Sequence, residues 1–234
     1  MKQMKRFYKE VSVAEQDGGH VVLLDNKPLK TLQGAMLRVP SRGLAEAIAE
    51  EWRGQGEHLD RNSMMLTGIA NGAVDRAGTE RGQVIEQILG FGRSDLICYR
   101  ASEPEALKAR QAALWDPLLD WARTKHGLRL MADAGISYIE QPIDAIVRMQ
   151  ELVSGLDDFT LAPFELASAL TGSFVIGLAL VEGHILAEQA FSAALADEIF
   201  QAEKWGDDAE AAARRARLRA ELDAVARFVR LLTV

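Results

Sequence analysis

Strand patterns are confined to the first forty residues of the chain, and this asymmetry limits the folds that the chain can adopt. Segments rich in β-branched and aromatic residues alternate there with tight turns, and they cover residues 6–14, 20–25 and 35–39. Short strands joined by tight turns predict an antiparallel meander. Pro40 ends the sheet, and Ser41 is a good N-cap for an amphipathic helix that ends at Gly54. The period of that helix suits it to lie across one face of the meander.

From residue 63 onward nearly all periodic segments are helical. They cover residues 64–75, 80–89, 104–125, 142–152 and 161–181, while residues 96–99 are either extended or a short buried helix. Pro117 predicts a break or kink in the third segment, after Asp116. The last segment is apolar around most of its circumference, which is typical of a helix buried at the centre of a bundle. The sequence thus predicts an α+β fold, with a small antiparallel sheet and one helix in residues 1–62 and a larger all-α helical bundle in residues 63–234.

The net charge and the short apolar runs argue against nucleic acids and membranes as partners. The 234 residues carry a formal net charge of −7 that is spread along the chain, whereas nucleic acids and anionic lipids attract basic surfaces. The longest apolar run, residues 174–181, falls far short of the ~20 residues that a membrane-spanning helix needs. Residues 1–6 lead straight into a strand-like segment without a secretory signal or an Arg/Ser-rich presequence, and Cys98 is the only cysteine. We therefore expect a cytoplasmic protein that binds neither nucleic acid nor membranes.

The sequence contains no recognisable catalytic motif. Its four histidines lack the spacing of a metal site, and no Gly-rich phosphate loop and no Gly-x-Ser-x-Gly motif occur. The basic run at residues 214–219 spreads its arginines around a helix with acids close by, which favours a solvated, salt-bridged face over a nucleic-acid site. Cys98, inside an apolar run, is typical of a small buried hydrophobe. We expect no catalytic residue, no metal, no cofactor and no bound nucleotide.

One helical stretch, residues 195–205, carries a carboxylate in an unusual place before Gly206 ends the helix. At about 100° per residue, one narrow stripe contains Ala187, Phe191, Ala194, Glu198, Gln201 and Trp205. Leu195, Ile199 and Ala202 widen the stripe into an apolar face, so Glu198 lies among apolar neighbours. Two interpretations stay open: an ion pair with an arginine of a neighbouring helix, or a functional surface.

An apolar face that carries a polar pair is typical of protein recognition. The candidate partner-binding residues are therefore Glu198, Gln201, Trp205, Asp197 and Phe191. Trp205 is also expected to pack, and Gly206 to let the chain turn into a last helix that begins with the acids of residues 207–210. That helix carries a packing seam of Leu218, Leu222, Val225, Val229 and Leu232.

Seven segments, in order, resemble the ATP synthase assembly chaperone family that acts on the α subunit of the catalytic head. They are Arg-Phe-Tyr-Lys at residues 6–9, the turn at 24–31, the helix at 44–55, residues 65–67 with Asp75, Ser-Asp-Leu-Ile-Cys-Tyr-Arg at 94–100, Gln111 with residues 115–121, and residues 198–206. The departures lie in loops or at the starts of elements: Asn26 and Lys27 replace Gly-Arg, while Leu32 and Met65 stand where the family often has proline.

The resemblance implies an ATP-independent chaperone, not an enzyme, that binds the free α subunit and protects it until it assembles with β. The family's Glu-x-x-Gln-x-x-x-Trp-Gly motif falls on Glu198, Gln201, Trp205 and Gly206. The absence of the mitochondrial presequence implies a bacterial cytoplasmic member, whereas eukaryotic relatives act in the mitochondrial matrix. We expect a monomer. The alternative is a hydrolase or lyase with its site in a cleft between the domains, where Glu198, His126 and Asp95 would be the groups to test.

Overall fold

The computed structural model describes residues 4–206 and 208–233, and it confirms an α+β fold. The strands are β1 (Val11–Gln16), β2 (Gly19–Leu24), β3 (Lys27–Pro28), β4 (Arg38–Val39), β5 (Tyr99–Arg100) and β6 (Asp133–Ala134). The helices are α1 (Arg42–Arg53), α2 (Met65–Gly72), α3 (Arg81–Arg93), α4 (Glu105–His126), α5 (Ile143–Ser154), α6 (Asp158–Thr171), α7 (Phe174–Val181), α8 (Ala187–Ala194), α9 (Ala196–Trp205) and α10 (Ala209–Leu231). A small antiparallel sheet near the N-terminus therefore precedes a mostly helical remainder.

The sheet is built around β2. β1 pairs with β2 antiparallel from Val11 opposite Leu24 to Gln16 opposite Gly19, while β3 and β4 pair with opposite ends of β2. The prediction of a strand over residues 6–14 is wrong in its first half. That segment bonds elsewhere, since Arg6 N–H donates to the carbonyl of Glu57 at 2.8 Å and the Tyr8 hydroxyl donates to the carbonyl of Trp52 at 2.6 Å.

The first helix follows its prediction. The Ser41 hydroxyl oxygen accepts a hydrogen bond from the N–H of Leu44 at 3.1 Å, which caps the N-terminus of α1. The apolar side of α1 lies against β1 and β2, and Leu44, Ile48 and Trp52 are buried there. Amphipathic period and capping chemistry therefore suffice to locate this helix.

A carboxylate of α1 caps the next helix. Glu51 accepts hydrogen bonds from the N–H groups of Leu66 and Thr67 and from the Thr67 hydroxyl, at 2.7–2.8 Å. Burial raises the pKa of Glu51, although these hydrogen bonds favour the ionised form. Asp75 makes a similar connection, because it accepts from the Thr31 hydroxyl at 2.6 Å and from the N–H of Gln33 at 3.2 Å. Both acids belong to segments that carry the family resemblance, and both hold the fold together.

The prediction of one buried helix over residues 161–181 is wrong, because α6 and α7 are separate helices. Gly172 adopts φ +67, which turns the chain, and the Ser173 hydroxyl caps α7 by accepting from the N–H of Ile176 at 3.0 Å. Every residue of α7 is buried, as the apolar circumference predicts.

Of the break or kink predicted at Pro117, the break is wrong, since α4 runs without interruption from Glu105 to His126, and the kink stays a prediction. Proline removes one backbone N–H, so the carbonyl of Ala113 loses its helical donor. Ala113 and Pro117 both lie on the exposed side of α4. The lost hydrogen bond therefore falls where water can replace it, and the helix continues.

The C-terminal helix has the predicted seam in its second half. Leu222, Val225 and Phe228 are fully buried, whereas Leu218 and Val229 are half-buried. The side chain of Asp208 accepts from the N–H of Ala211 at 2.8 Å, which caps α10 as the acidic start predicts. Asp207, the first of the predicted acids, lies outside the described residues.

Two compact units make up the chain. The first comprises Met1–Arg81, Asp158–Pro163 and Arg227–Val234, and the second comprises Gly82–Asp157 and Phe164–Ala226. These units follow contacts in the folded chain, so the division into folding domains at residues 62 and 63 stays a proposal. None of the helices in residues 4–206 and 208–233 combines the length and apolarity of a membrane span.

Candidate functional site

The helix that carries Glu198 differs from its prediction. The backbone breaks at Leu195, which joins α8 to α9, so the stripe from Ala187 to Trp205 does not lie on one helix. The buried residues of α9 are Ala196 and Phe200. At 100° per residue, Glu198 is separated by about 160° from each of these two buried residues, so it lies on the opposite side of α9 and faces α10.

Glu198 pairs with two arginines of α10. One carboxylate oxygen accepts from Nη1 of Arg215 at 2.8 Å, and the other accepts from Arg214. Arg215 is largely buried and Arg214 is exposed, while 28% of the Glu198 side chain remains accessible. Burial by itself would raise the pKa of Glu198, but the hydrogen bonds from Arg215 and Arg214 outweigh it and hold the pKa below its usual range. The carboxylate is therefore ionised at neutral pH and partly open to solvent.

The neighbouring acid connects α9 to α4. Asp197 is exposed, and its Oδ1 accepts from Nε2 of Gln111 at 2.7 Å. Gln111 is buried, and its Oε1 accepts from the N–H of Ala101 at 2.8 Å. The Gln111 side chain of α4 therefore hydrogen-bonds both the backbone at Ala101 and Asp197 of α9, which fixes the position of α9 relative to α4. Phe191 of α8 is only 6% exposed and lies under the guanidinium of Arg219, 4.6 Å from the ring centre.

The expectation that Trp205 packs is wrong, because 78% of its surface is exposed. Trp205 is the last residue of α9, and Gly206 at φ +88 turns the chain away immediately after it. The turn therefore leaves the indole without a following helical turn to cover it. Gln201, one turn earlier, is exposed as well. A largely exposed tryptophan is uncommon in proteins and typical of binding surfaces.

The groups of the enzyme alternative are not assembled. Asp95 is fully buried and accepts from the N–H groups of Ile97 and Val175 at 3.2 and 3.0 Å, and burial raises its pKa to about 6. His126 contacts Glu182, with 3.2 Å between Nε2 and Oε2. In the described part of the chain, no hydrogen bond or ion pair joins any two of Glu198, His126 and Asp95. The described residues likewise contain no cluster of three or more His, Cys, Asp or Glu side chains able to hold a metal ion.

The arginine partners of Glu198 were not identified from the sequence, although a signal exists. Glu198 stands eight residues before Gly206, and Arg214 stands eight residues after it. Two helices joined by a short turn bring residues at equal distances from the turn together.

Sequence reasoning also missed an apolar groove in the first unit, which is lined by Phe7 and Leu32 among others.

Comparison with known proteins decides the family. The sequence model described as ATP12 chaperone protein matches residues 5–123. This chain belongs to the ATP12 chaperone family. It is 27% identical over 214 residues to the mitochondrial protein atp12 of Schizosaccharomyces pombe, covering 86% of this chain and 74% of that one.

Solved structures match nearly the whole length of the chain. Atp12 from Paracoccus denitrificans is 38% identical and covers 98% of each chain with a TM-score of 0.91, as does a mutant of that protein. The Atu1473 protein from Agrobacterium tumefaciens is 40% identical, with 97% of this chain and 86% of that chain covered and a TM-score of 0.92. The expected family is confirmed. The protein is thus a chaperone of ATP synthase assembly and not an enzyme, and its partner is a protein.

Proposed function

We propose that this protein binds the free α subunit of the ATP synthase catalytic head and protects it until it assembles with β, without using ATP. We further propose that it acts in the bacterial cytoplasm. The contact surface is the α9 surface, defined as Asp197, Glu198, Gln201 and Trp205, and the fifth candidate, Phe191 of α8, is buried under the Arg219 guanidinium. The observation that carries the assignment is the exposed Trp205 at the end of the helix that presents an arginine-paired Glu198.

The α9 surface combines an apolar anchor with oriented polar groups. Trp205 offers a large, rigid ring at little conformational cost, which is why tryptophan is enriched at the centres of interfaces. Glu198 is held in place by Arg215, so its partly accessible carboxylate is oriented before a client arrives. Interfaces of this composition bind through the anchor and select through the polar groups.

Chaperone action of this kind requires only mass action. An unassembled subunit exposes the apolar surface that its partner subunit later covers, and such surfaces aggregate. A protein that binds this surface lowers the concentration of the free, aggregating form. Release then follows when β competes for the same surface, so no nucleotide is needed.

The test is capture of isolated α subunit and suppression of its aggregation, with wild type and with Trp205→Ala. Because Trp205 is exposed, we expect the variant to keep its melting temperature and to lose capture by about tenfold or more. Ile136→Ala is the matched control, since Ile136 is a fully exposed apolar residue that does not belong to α9. Undiminished capture by Trp205→Ala would remove the α9 surface from the proposal.

A further inference from the structure

A second surface with binding character lies in the first compact unit. It is a groove of about 650 Å³, here called the N-terminal groove, bounded by the segment before β1, the hairpin around β3 and helix α2. Its floor is apolar and buried, made by Leu24, Leu29, Trp52, Leu59 and Met64. The volume is that of a ligand pocket and far exceeds an ordinary packing defect.

We infer that the N-terminal groove is a second contact site for the client and that it binds an apolar segment of protein chain flanked by carboxylates. The identity of the client rests on the proposed function. The chemistry of the segment rests on the groove itself.

The rim exposes apolar side chains that the fold does not cover. Phe7 is 64% exposed and Leu32 is 72% exposed, and both line the groove together with Met4. Folded proteins seldom leave several large apolar side chains side by side in water unless a partner covers them. An apolar occupant would bury these side chains and the floor between them.

The charges around the groove are predominantly positive, although the chain carries −7 overall. Lys27, Lys30 and Arg61 line it, and in the described part of the chain Lys30 and Arg61 form no ion pair. Asp25 is the acid among the lining residues, and its carboxylate already accepts from the N–H groups of Lys9 and Glu10 at 3.0 and 2.9 Å. The cations are therefore available, and the complementary occupant carries carboxylates beside its apolar residues.

Helix α2 offers close approach along one wall. Gly68 lines the groove and is exposed, and a Cβ atom built on it would meet no other atom within 4 Å. Glycine is unfavourable inside a helix, and no packing contact at Gly68 explains its presence there. The same open space allows a bulky side chain to be added there without disturbing the core, which provides the test.

The test uses full-length protein and two labelled peptides that share a leucine-rich centre, one flanked by glutamates and the other by lysines. By fluorescence anisotropy we expect the wild type to bind the glutamate-flanked peptide at least about tenfold more tightly. Gly68→Trp should weaken that binding by about tenfold or more, because the indole fills the groove. Gly82→Trp, at an exposed glycine of α3, is the matched control, and Gly68→Ala is the control for the helix.

Equal affinity for the two peptides would overturn the inference, and so would unchanged binding by a folded Gly68→Trp protein. Capture of isolated α subunit separates this inference from the proposed function. If wild type captures no α, the proposed function fails. The chemistry of the groove is then decided by the difference in affinity between the two peptides. If wild type captures α and Gly68→Trp captures it equally well, the groove is not a client site.

Two other occupants would also overturn it. A dimer in sedimentation that Gly68→Trp dissociates would assign the groove to a second copy of the chain. Binding to phosphatidylglycerol vesicles that Gly68→Trp abolishes would assign it to a membrane.

Discussion

Two regions of the second unit each hold a carboxylate in place with hydrogen bonds, and they use it in opposite ways. Asp95 is fully buried, and the N–H groups that open α7 and the turn at residues 96–98 surround it. Glu198 remains accessible and is held by the guanidinium groups of Arg214 and Arg215. A carboxylate bonded to backbone organises the fold, whereas one oriented by arginines at a surface is available to a partner.

The pKa shifts of the two acids differ in sign because their hydrogen-bond donors differ in charge. Burial raises the pKa of Asp95 to about 6, because neutral N–H donors offset the lost hydration only in part. Burial also acts on Glu198, but hydrogen bonds from the arginines lower its pKa. The difference between the regions is therefore measurable in stability as well as in binding.

Asp95→Ala should have the largest effect. It leaves the buried N–H groups of Ile97 and Val175 without an acceptor, and we expect a loss of about 4 kcal/mol in the free energy of unfolding. Denaturant unfolding measures it, with Glu198→Ala as the comparison. Glu198→Ala should cost only about 1 kcal/mol, as expected for a partly exposed ion pair. Equal losses would mean that both carboxylates are structural.

The pH dependence of stability should come next. The folded pKa of Asp95 is raised from 3.8 to about 6, so the folded state binds more protons between these values. Stability should therefore fall as pH rises from about 4 to about 6, by roughly 3 kcal/mol from this group. Glu198, with its lowered pKa, contributes stability above its unfolded pKa that is lost as pH falls through its folded pKa.

Unfolding curves of wild type, Asp95→Asn and Glu198→Gln across this range separate the two contributions. Asp95→Asn should remove most of the decline with rising pH and leave the smaller part that comes from the raised pKa of Glu51, whereas Glu198→Gln should leave the decline in place. A decline that is undiminished in Asp95→Asn would show that another group causes it.

Glu198→Lys should change stability little and binding greatly. The new cation faces Arg214 and Arg215, and the repulsion at this half-exposed place should cost about 1 kcal/mol. Capture of the client should nevertheless be lost, because the charge of the α9 surface reverses. Circular dichroism and thermal melting establish that the variant is folded. If it does not fold, Glu198 is structural and the α9 surface loses its central residue.

The smallest effect should be seen at Cys98, beside Asp95. The thiol is buried, and burial raises its pKa to about 12, so little thiolate exists at neutral pH. We expect no reaction with a thiol reagent in the native protein and rapid reaction in denaturant. Rapid labelling of native protein would show that the segment around Asp95 opens easily.

Secondary-structure elements were predicted correctly from the sequence where the residues that determine them are close together in the chain. The hairpin of β1 and β2 follows from alternation and a turn, and α1 follows from its period, Ser41 and Gly54. The break between α6 and α7 was missed because the apolar pattern continues through it, although Gly172 and Ser173 carry the turn and cap chemistry. The break at Leu195 has no such local signal.

The candidate site was predictable only in part. The helical period selected Glu198, but it could not show which side of α9 is buried, since tertiary contacts through Phe200 and Gln111 decide that. Trp205 was expected to pack because its side chain is apolar, and its position before Gly206 overrides that tendency. Whether a carboxylate is buried is set by its neighbours in the folded chain, as Asp95 and Glu198 illustrate.

The most direct test of the proposed function is a pull-down of this protein with purified α and β subunits in the absence of ATP. The account predicts that α alone is captured, that β alone is not, and that adding β releases α from the chaperone. Failure to capture α, or a complex with α that persists when β is present in excess, would contradict it.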